Sequence, residues 1–274
     1  MKKRYGISSW IASILSADEA IEKIAAAGFR EIELSGSGSG LLHAWEDDPI
    51  CVCQKLTSKD IVVKAIHCPV AGRSIDDADE ATRQASVAAN LVYFDKMRSC
   101  RIKGIIIHPF GSGDYSTQVK KIVCRAQSLK SLRAMAEMAG EMGVRIAVEN
   151  LAKGRPGSNV ADLLEMIEGM GDHVGICIDL GHAYIAGLDL INELRAAVSA
   201  GKLFSLHIHD VNEAGRDHFI PGEGKIDWDI FISRLDACGF QGGRILEISP
   251  PETDVDGRLC KAAIVRDKWE GYEI

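Results

Sequence analysis

The chain has no CxxC pair, although it carries eight cysteines, at 51, 53, 68, 100, 124, 177, 238 and 260. Cys51 and Cys53 are only two apart, a poor spacing for a structural zinc site. The thiols therefore read as reduced core or surface residues, and the expected compartment is a reducing, cytoplasmic one. No apolar run approaches the roughly 20 residues that a membrane span requires, so no membrane partner is expected. The opening MKKRYGISSWIASILSA has the basic start of a signal peptide, but Gly6, Ser8, Ser9 and Ser13 interrupt its apolar stretch and no A-x-A site follows. Positive charge is not in excess: the net charge is −7. Nucleic acid is accordingly not an expected partner, because phosphate binding wants a basic face. A doubly wound open α/β sheet is the structural alternative to a barrel, and the lack of a GxGxxG after the first β-rich run speaks against its dinucleotide-binding form. The GSGSG string at 36–40 lacks the Lys-Ser/Thr of a P-loop and reads as a rim turn. Nothing resembles a linker or a low-complexity tract, so residues 1–274 are expected to form a single domain.

What is present is an alternation. Short β-rich runs occur at 5–10, 31–36, 62–69, 104–109, 145–150, 175–180, 203–210 and 243–249. Most are near-continuous apolar stretches, as in parallel strands covered on both faces. Helical patterns separate them, beginning with a Ser16-x-x-Glu19 capping box that opens a helix closing near Gly28. Further helices are expected over 80–100, 117–142, 158–170, 188–200, 228–238 and 258–269. Over 80–100 the apolar face reads as Ala81, Ala85, Ala88, Leu91, Val92 and Met97, and over 117–142 as Val119, Ile122, Val123, Ala126, Leu129, Leu132 and Met142. Strict β–α alternation implies a parallel sheet, and eight such units imply an α/β fold of the closed (β/α)₈ TIM-barrel type. The segment 211–226 is the longest irregular stretch, and such loops usually carry function.

The polar residues gather where those strands end. Strand two carries Glu33, strand three His67, strand four His108, strand five Glu149 with Asn150, and strand six Asp179 with His182 just beyond. Strand seven carries His207, His209 and Asp210, and strand eight carries Glu247. In a (β/α)₈ barrel the C-terminal strand ends build the active site. Several carboxylates converging there would repel one another, and a divalent cation is the economical way to hold them ionised. Glu149, Asp179, His207 and Glu247, on four successive strands, are therefore the expected ligands. Carboxylate oxygens with one imidazole suit Mn²⁺, Mg²⁺, Co²⁺ or Zn²⁺ without selecting one. Strand alternation sends His209 to the same face as His207, where it would contact substrate or support a ligand. Trp10, ending strand one, would wall the pocket or sit in the core. His43 and His173 read as surface or structural residues.

The strings AVEN (147–150), CIDLGHAYIAG (177–187), LHIHD (206–210) and DHFIPGEGKIDW (217–228) resemble the xylose-isomerase-like barrel superfamily. That group holds sugar-phosphate isomerases and epimerases together with class II AP endonucleases. The resemblance to its ketose 3-epimerases implies one metal on Glu149, Asp179, His207 and Glu247. It implies Glu149 and Glu247 as base and acid on opposite faces of a sugar, a metal-stabilised enediolate, and His182 on a substrate oxygen. The implied activity is metal-dependent isomerisation or epimerisation of a small sugar, sugar phosphate, sugar acid or cyclitol. Similar enzymes occur as dimers or tetramers, so the resemblance leaves a homo-oligomer open.

The endonucleases hold three zinc ions through additional histidines, and His67, His108, His182 and His218 match those positions. A zinc phosphodiesterase is thus the rival reading. It lacks one expected ligand, an Asp two residues before the histidine matched by His218, where this chain has Arg216. In a sugar-binding member the extra histidines and Arg216 would hold substrate groups or a second metal. A non-catalytic barrel that binds sugar or metal is the third reading, opposed by the complete set of acid, base and ligand positions.

Overall fold

The computed structural model describes residues 4–36, 40–111, 114–152, 154–250 and 253–271. Most of the GSGSG string, residues 37–39, lies outside the described residues. The strands are β1 (Gly6–Ser8), β2 (Glu31–Leu34), β3 (Val62–His67), β4 (Gly104–Ile107), β5 (Arg145–Glu149), β6 (Val174–Asp179), β7 (Leu203–Ile208) and β8 (Gly243–Leu246). They follow chain order around a closed barrel, so the expected (β/α)₈ topology is the one observed. Strand lengths come out shorter than the β-rich runs. At β1 the reason is local: the Ser8 hydroxyl accepts from the Trp10 backbone N–H at 3.3 Å and turns the chain into a 3₁₀ turn over Ser9–Ala12.

The helices are α1 (Ala17–Ala26), α2 (Leu41–Asp47), α3 (Pro49–Ser58), α4 (Glu80–Ser99), α5 (Gln118–Met142), α6 (Val160–Met166), α7 (Leu180–Ile185), α8 (Leu190–Ser199), α9 (Trp228–Ala237) and α10 (Val255–Glu270). The Ser16–Glu19 capping box is formed. Helices α2, α3 and α7 were not anticipated. Asp48 caps α3 through the Cys51 N–H, with Pro49 at the first helical position. Asp179 caps α7 through the His182 N–H.

The chain divides into two compact units. In the first, Met1–Ile66 with Ser205–Ile274, β8 pairs with β7 and with β1, β1 with β2, and β2 with β3, all parallel. Ile7, Ile32, Leu34, Leu206, Ile208, Ile245 and Leu246 fill its interior at 1% exposure or less. In the second, His67–Phe204, β5 pairs with both β4 and β6. Gly175 in β6 is required by close approach: a Cβ there would lie 2.5 Å from the Lys202 carbonyl oxygen and 2.7 Å from the Phe204 ring.

Two expected apolar faces are corrected. On α5 the residues turned inward are Cys124, Ser128, Ser131, Leu132, Met135, Ala136 and Ala139, while Val119, Ile122 and Val123 are exposed. On α4 the buried residues include Arg83, Ser86 and Asn90 beside Val87, Tyr93, Phe94 and Met97, and Val92 is exposed. These faces are polar because the groups on them are satisfied. Arg83 Nη1 donates to Ser131 Oγ at 2.8 Å, and Ser131 Oγ donates to the Ile75 carbonyl at 2.6 Å. A buried polar group with a partner costs little, so hydrophobic periodicity misjudges such a seam.

Candidate metal centre

In the second unit, Glu149 ends β5 at 1% exposure. Its Oε2 lies 3.0 Å from His67 Nε2 and 3.1 Å from His108 Nε2. The two rings meet edge to face, 5.0 Å between centroids. His67 Nδ1 is 3.0 Å from the Cys68 carbonyl oxygen. A carbonyl only accepts, so that nitrogen carries the proton. In a neutral ring Nε2 then presents a lone pair to a carboxylate oxygen, an arrangement that repels unless a second proton or a metal cation intervenes. His67, His108 and Glu149 each offer an atom within 4.8 Å of the others, close enough to hold an ion.

Asp179, fully buried at the end of β6, is fixed by its neighbour strand. Its backbone N–H donates to Asn150 Oδ1 at 2.7 Å, and Asn150 Nδ2 returns a bond to the Asp179 carbonyl at 3.0 Å. Asp179 Oδ1 accepts from the His182 N–H at 2.6 Å. His182 Nδ1 is 3.2 Å from the Asn150 carbonyl oxygen, which places its proton there and turns Nε2 into an acceptor or ligand.

In the first unit, His207 is fully buried between two carboxylates. Its Nδ1 is 3.1 Å from Glu247 Oε2, and its Nε2 is 3.1 Å from Glu33 Oε1. Glu247 stands one residue beyond β8 and is 7% exposed. His209, also fully buried, accepts the His218 backbone N–H on Nδ1 at 2.9 Å, and the two rings stack with centroids 4.0 Å apart. His218 Nδ1 lies 3.2 Å from the Glu247 carbonyl oxygen. Trp10 meets the His218 ring edge-on at 4.8 Å, so the anticipated aromatic wall stands against an imidazole. His209, His218 and Glu247 form a second triplet of ligand-bearing atoms within 4.8 Å.

The loop that carries His218 is built around Asp210. This buried carboxylate accepts from the backbone N–H groups of Val211, Gly222 and Ile226 and from the indole N–H of Trp228, at 2.8 to 3.2 Å. Backbone bonds between Asp210 and Phe219 close the loop. His218 has a left-handed φ of 59°, and its carbonyl is held by the Ser249 N–H at 3.0 Å. The PGEGKIDW string is thus the architecture of a loop that presents an imidazole. Arg216 is exposed on this loop. His43 pairs with Glu46 on the surface at 3.3 Å, and His173 Nε2 bonds the Ala136 carbonyl at 2.7 Å, both as anticipated. Two residues were not given a role by the sequence: Glu33, which binds His207, and Asn150, which fixes Asp179. The only signal for either was its position beside a strand end.

The family model for the xylose isomerase-like TIM barrel matches residues 21–259. The chain belongs to that family. The chain is similar to an uncharacterized protein of Methanocaldococcus jannaschii, 24% identical over 245 residues, covering 87% of this chain and 81% of that one. Among solved structures, a D-tagatose 3-epimerase-like protein superposes with a TM-score of 0.83 at 19% identity, covering 97% of each chain. The IOLI protein, solved with a zinc atom, superposes with a TM-score of 0.82 at 19% identity, covering 98% of each. No helix among the described residues is long and apolar enough to cross a membrane, and no disulfide joins the eight cysteines.

Proposed function

We propose that this xylose isomerase-like barrel is a sugar isomerase or epimerase that works with one divalent metal held by Glu149, Asp179, His207 and Glu247. The observation that carries the reading is the pairing of buried carboxylates with imidazole nitrogens whose opposite nitrogen is already committed. His67 does this toward Glu149, and His207, with a carboxylate at each nitrogen and one ring proton to share between them, does it toward one of Glu33 and Glu247. Strand order supports the set, because β5, β6, β7 and β8 are successive members of the closed sheet and each ends within one residue of a member of the set. The donor set suits a borderline divalent ion. The IOLI protein, of the same fold, holds zinc, and the D-tagatose 3-epimerase-like protein supports a ketose as the class of substrate.

When bound, the ion supplies Lewis-acid stabilisation of negative charge developing on substrate oxygen. The residues do the rest. Glu149 removes a proton from carbon while Glu247 protonates from the other side, or the reverse in the opposite direction. Asp179 and His207 would complete the ligand set beside the two glutamates. His182, with Nε2 directed away from its backbone anchor, holds a substrate hydroxyl, and Trp10 and His218 exclude water. The test is a panel of ketoses, their phosphates and inosose-type cyclitols, assayed with Mn²⁺ and after chelation. Turnover of one substrate that vanishes on chelation and returns with metal supports the reading; equal turnover in the stripped protein overturns it.

The His67–His108–Glu149 triplet favours a second reading, a zinc phosphodiesterase with more than one ion. Metal analysis separates the two. Three tightly held zinc ions per chain, with cleavage of a duplex containing an abasic site, would establish the phosphodiesterase.

A further inference from the structure

Glu33 lies on β2, far from the metal ligands in sequence, and is fully buried. Its carboxylate oxygens straddle His207 Nε2 at 3.1 and 3.3 Å. Among the described residues the carboxylate has no other side-chain or backbone donor. Burying an ionised carboxylate with no donor costs several kcal/mol, so a fully interior glutamate facing one imidazole needs that imidazole to donate. We infer that Glu33 is the positioning residue for His207: its carboxylate accepts a hydrogen bond from the Nε2 N–H, locks the ring in one tautomer, and leaves Nδ1 on the Glu247 side as the coordinating atom.

The inference rests on the metal reading above. The geometry carries it beyond that reading, because the second carboxylate is unnecessary for ligand count. If Glu33 were itself a ligand, it would face the side of the ring occupied by Glu247. Instead the two carboxylates take opposite nitrogens of one ring. A carboxylate behind a ligating histidine fixes ring orientation and raises its basicity, and losing such a partner typically weakens metal binding about 10- to 100-fold. The residue that sits there is also placed by the fold: β2 pairs with β1 in register at Ser8–Glu33, and the barrel wall, not a mobile loop, sets where the carboxylate lies.

The experiment compares wild type, Glu33→Gln and Glu33→Leu, reading Zn²⁺ and Co²⁺ affinity by chelator competition and the melting temperature of the metal-free proteins. The Gln amide oxygen still accepts from Nε2; Leu cannot. The expected order of affinity is wild type, then Gln, then Leu, with Leu about 10- to 100-fold weaker than wild type and the visible Co²⁺ spectrum altered in the same order. The metal-free Gln variant should melt no lower than the metal-free wild type, because a buried negative charge has been removed while the Nε2 proton keeps an acceptor. Unchanged affinity in both variants, or a lowered metal-free melting temperature with affinity intact, would show that Glu33 is merely structural. Wild type that binds no ion would sink the metal reading itself, a result distinct from either of those.

Discussion

The indole N–H of Trp228 donates to Asp210 Oδ2 at 2.9 Å inside the protein. That bond ties the first residue of α9 to the last polar residue of the β7 run, and the loop 211–226 hangs between them. Trp228→Phe removes one donor from a carboxylate that keeps three backbone donors, and should cost about 1.5–3 kcal/mol. Asp210→Ala removes the acceptor for all four. Its expected signature is faster hydrogen exchange at the Gly222 and Ile226 amides, with the β5 amides protected as before. Unchanged exchange at those two amides would mean that the loop holds its shape without Asp210.

Gly224 approaches that carboxylate so closely that a Cβ would lie 2.3 Å from Asp210 Oδ1 and 2.3 Å from the Val211 carbonyl oxygen. Gly224→Ala should therefore destabilise by about 1–3 kcal/mol, the usual cost of overpacking. Gly187 serves as the contrast. A Cβ there meets nothing within 4 Å, although φ is +80°, so Gly187→Ala bears only the left-handed backbone cost of about 1–2 kcal/mol. Urea midpoints of the two variants measure the difference, and hydrogen exchange at Ile226 should respond to the first alone.

Glu247→Gln should abolish turnover on whatever substrate the panel reveals while leaving a weaker metal site. The amide keeps a ligand oxygen but cannot carry the proton. Steady-state rates and metal content, measured on the same preparation, check both halves. Turnover within about threefold of wild type would remove Glu247 from the acid–base pair.

Tyr5 gives a dependence on alkaline pH. Burial raises its phenol to about 12, against a partial lowering by the Arg244 guanidinium, whose Nη1 donates to the phenol oxygen at 3.0 Å. A raised folded value means that stability is fully present below the unfolded pKa near 10 and is lost as pH climbs toward 12. Melting temperature in wild type should fall across that window, and less steeply in Tyr5→Phe. Equal slopes would assign the alkaline loss to other groups.

The alternation of eight β-rich runs with helical stretches was legible because parallel barrel strands are apolar on both faces, and that pattern survives in Ile105–Ile107, Ile146–Val148 and Ile176–Ile178. The strand-end positions of Glu149, Asp179, His207 and Glu247 were legible for the same reason: a charged residue closing an apolar run stands out. The helix faces of α4 and α5 were not. Arg83 and Ser131 are buried because they bond one another, a long-range fact with no local trace. The short helices α2 and α7 escaped because they have too few turns to show a period, and α3, as long as α1, escaped because it buries only Val52 and Leu56.

The order of elements, the family and the residue types at the strand ends were determined by the sequence alone, since each depends on periodicity or on strings of adjacent residues. Which nitrogen of each imidazole faces inward was decided only by the tertiary structure. The Cys68 and Asn150 carbonyls and the Glu33 carboxylate choose it, and a hydrogen bond between groups as far apart in the chain as Glu33 and His207 exists only once the strands have been wound into place.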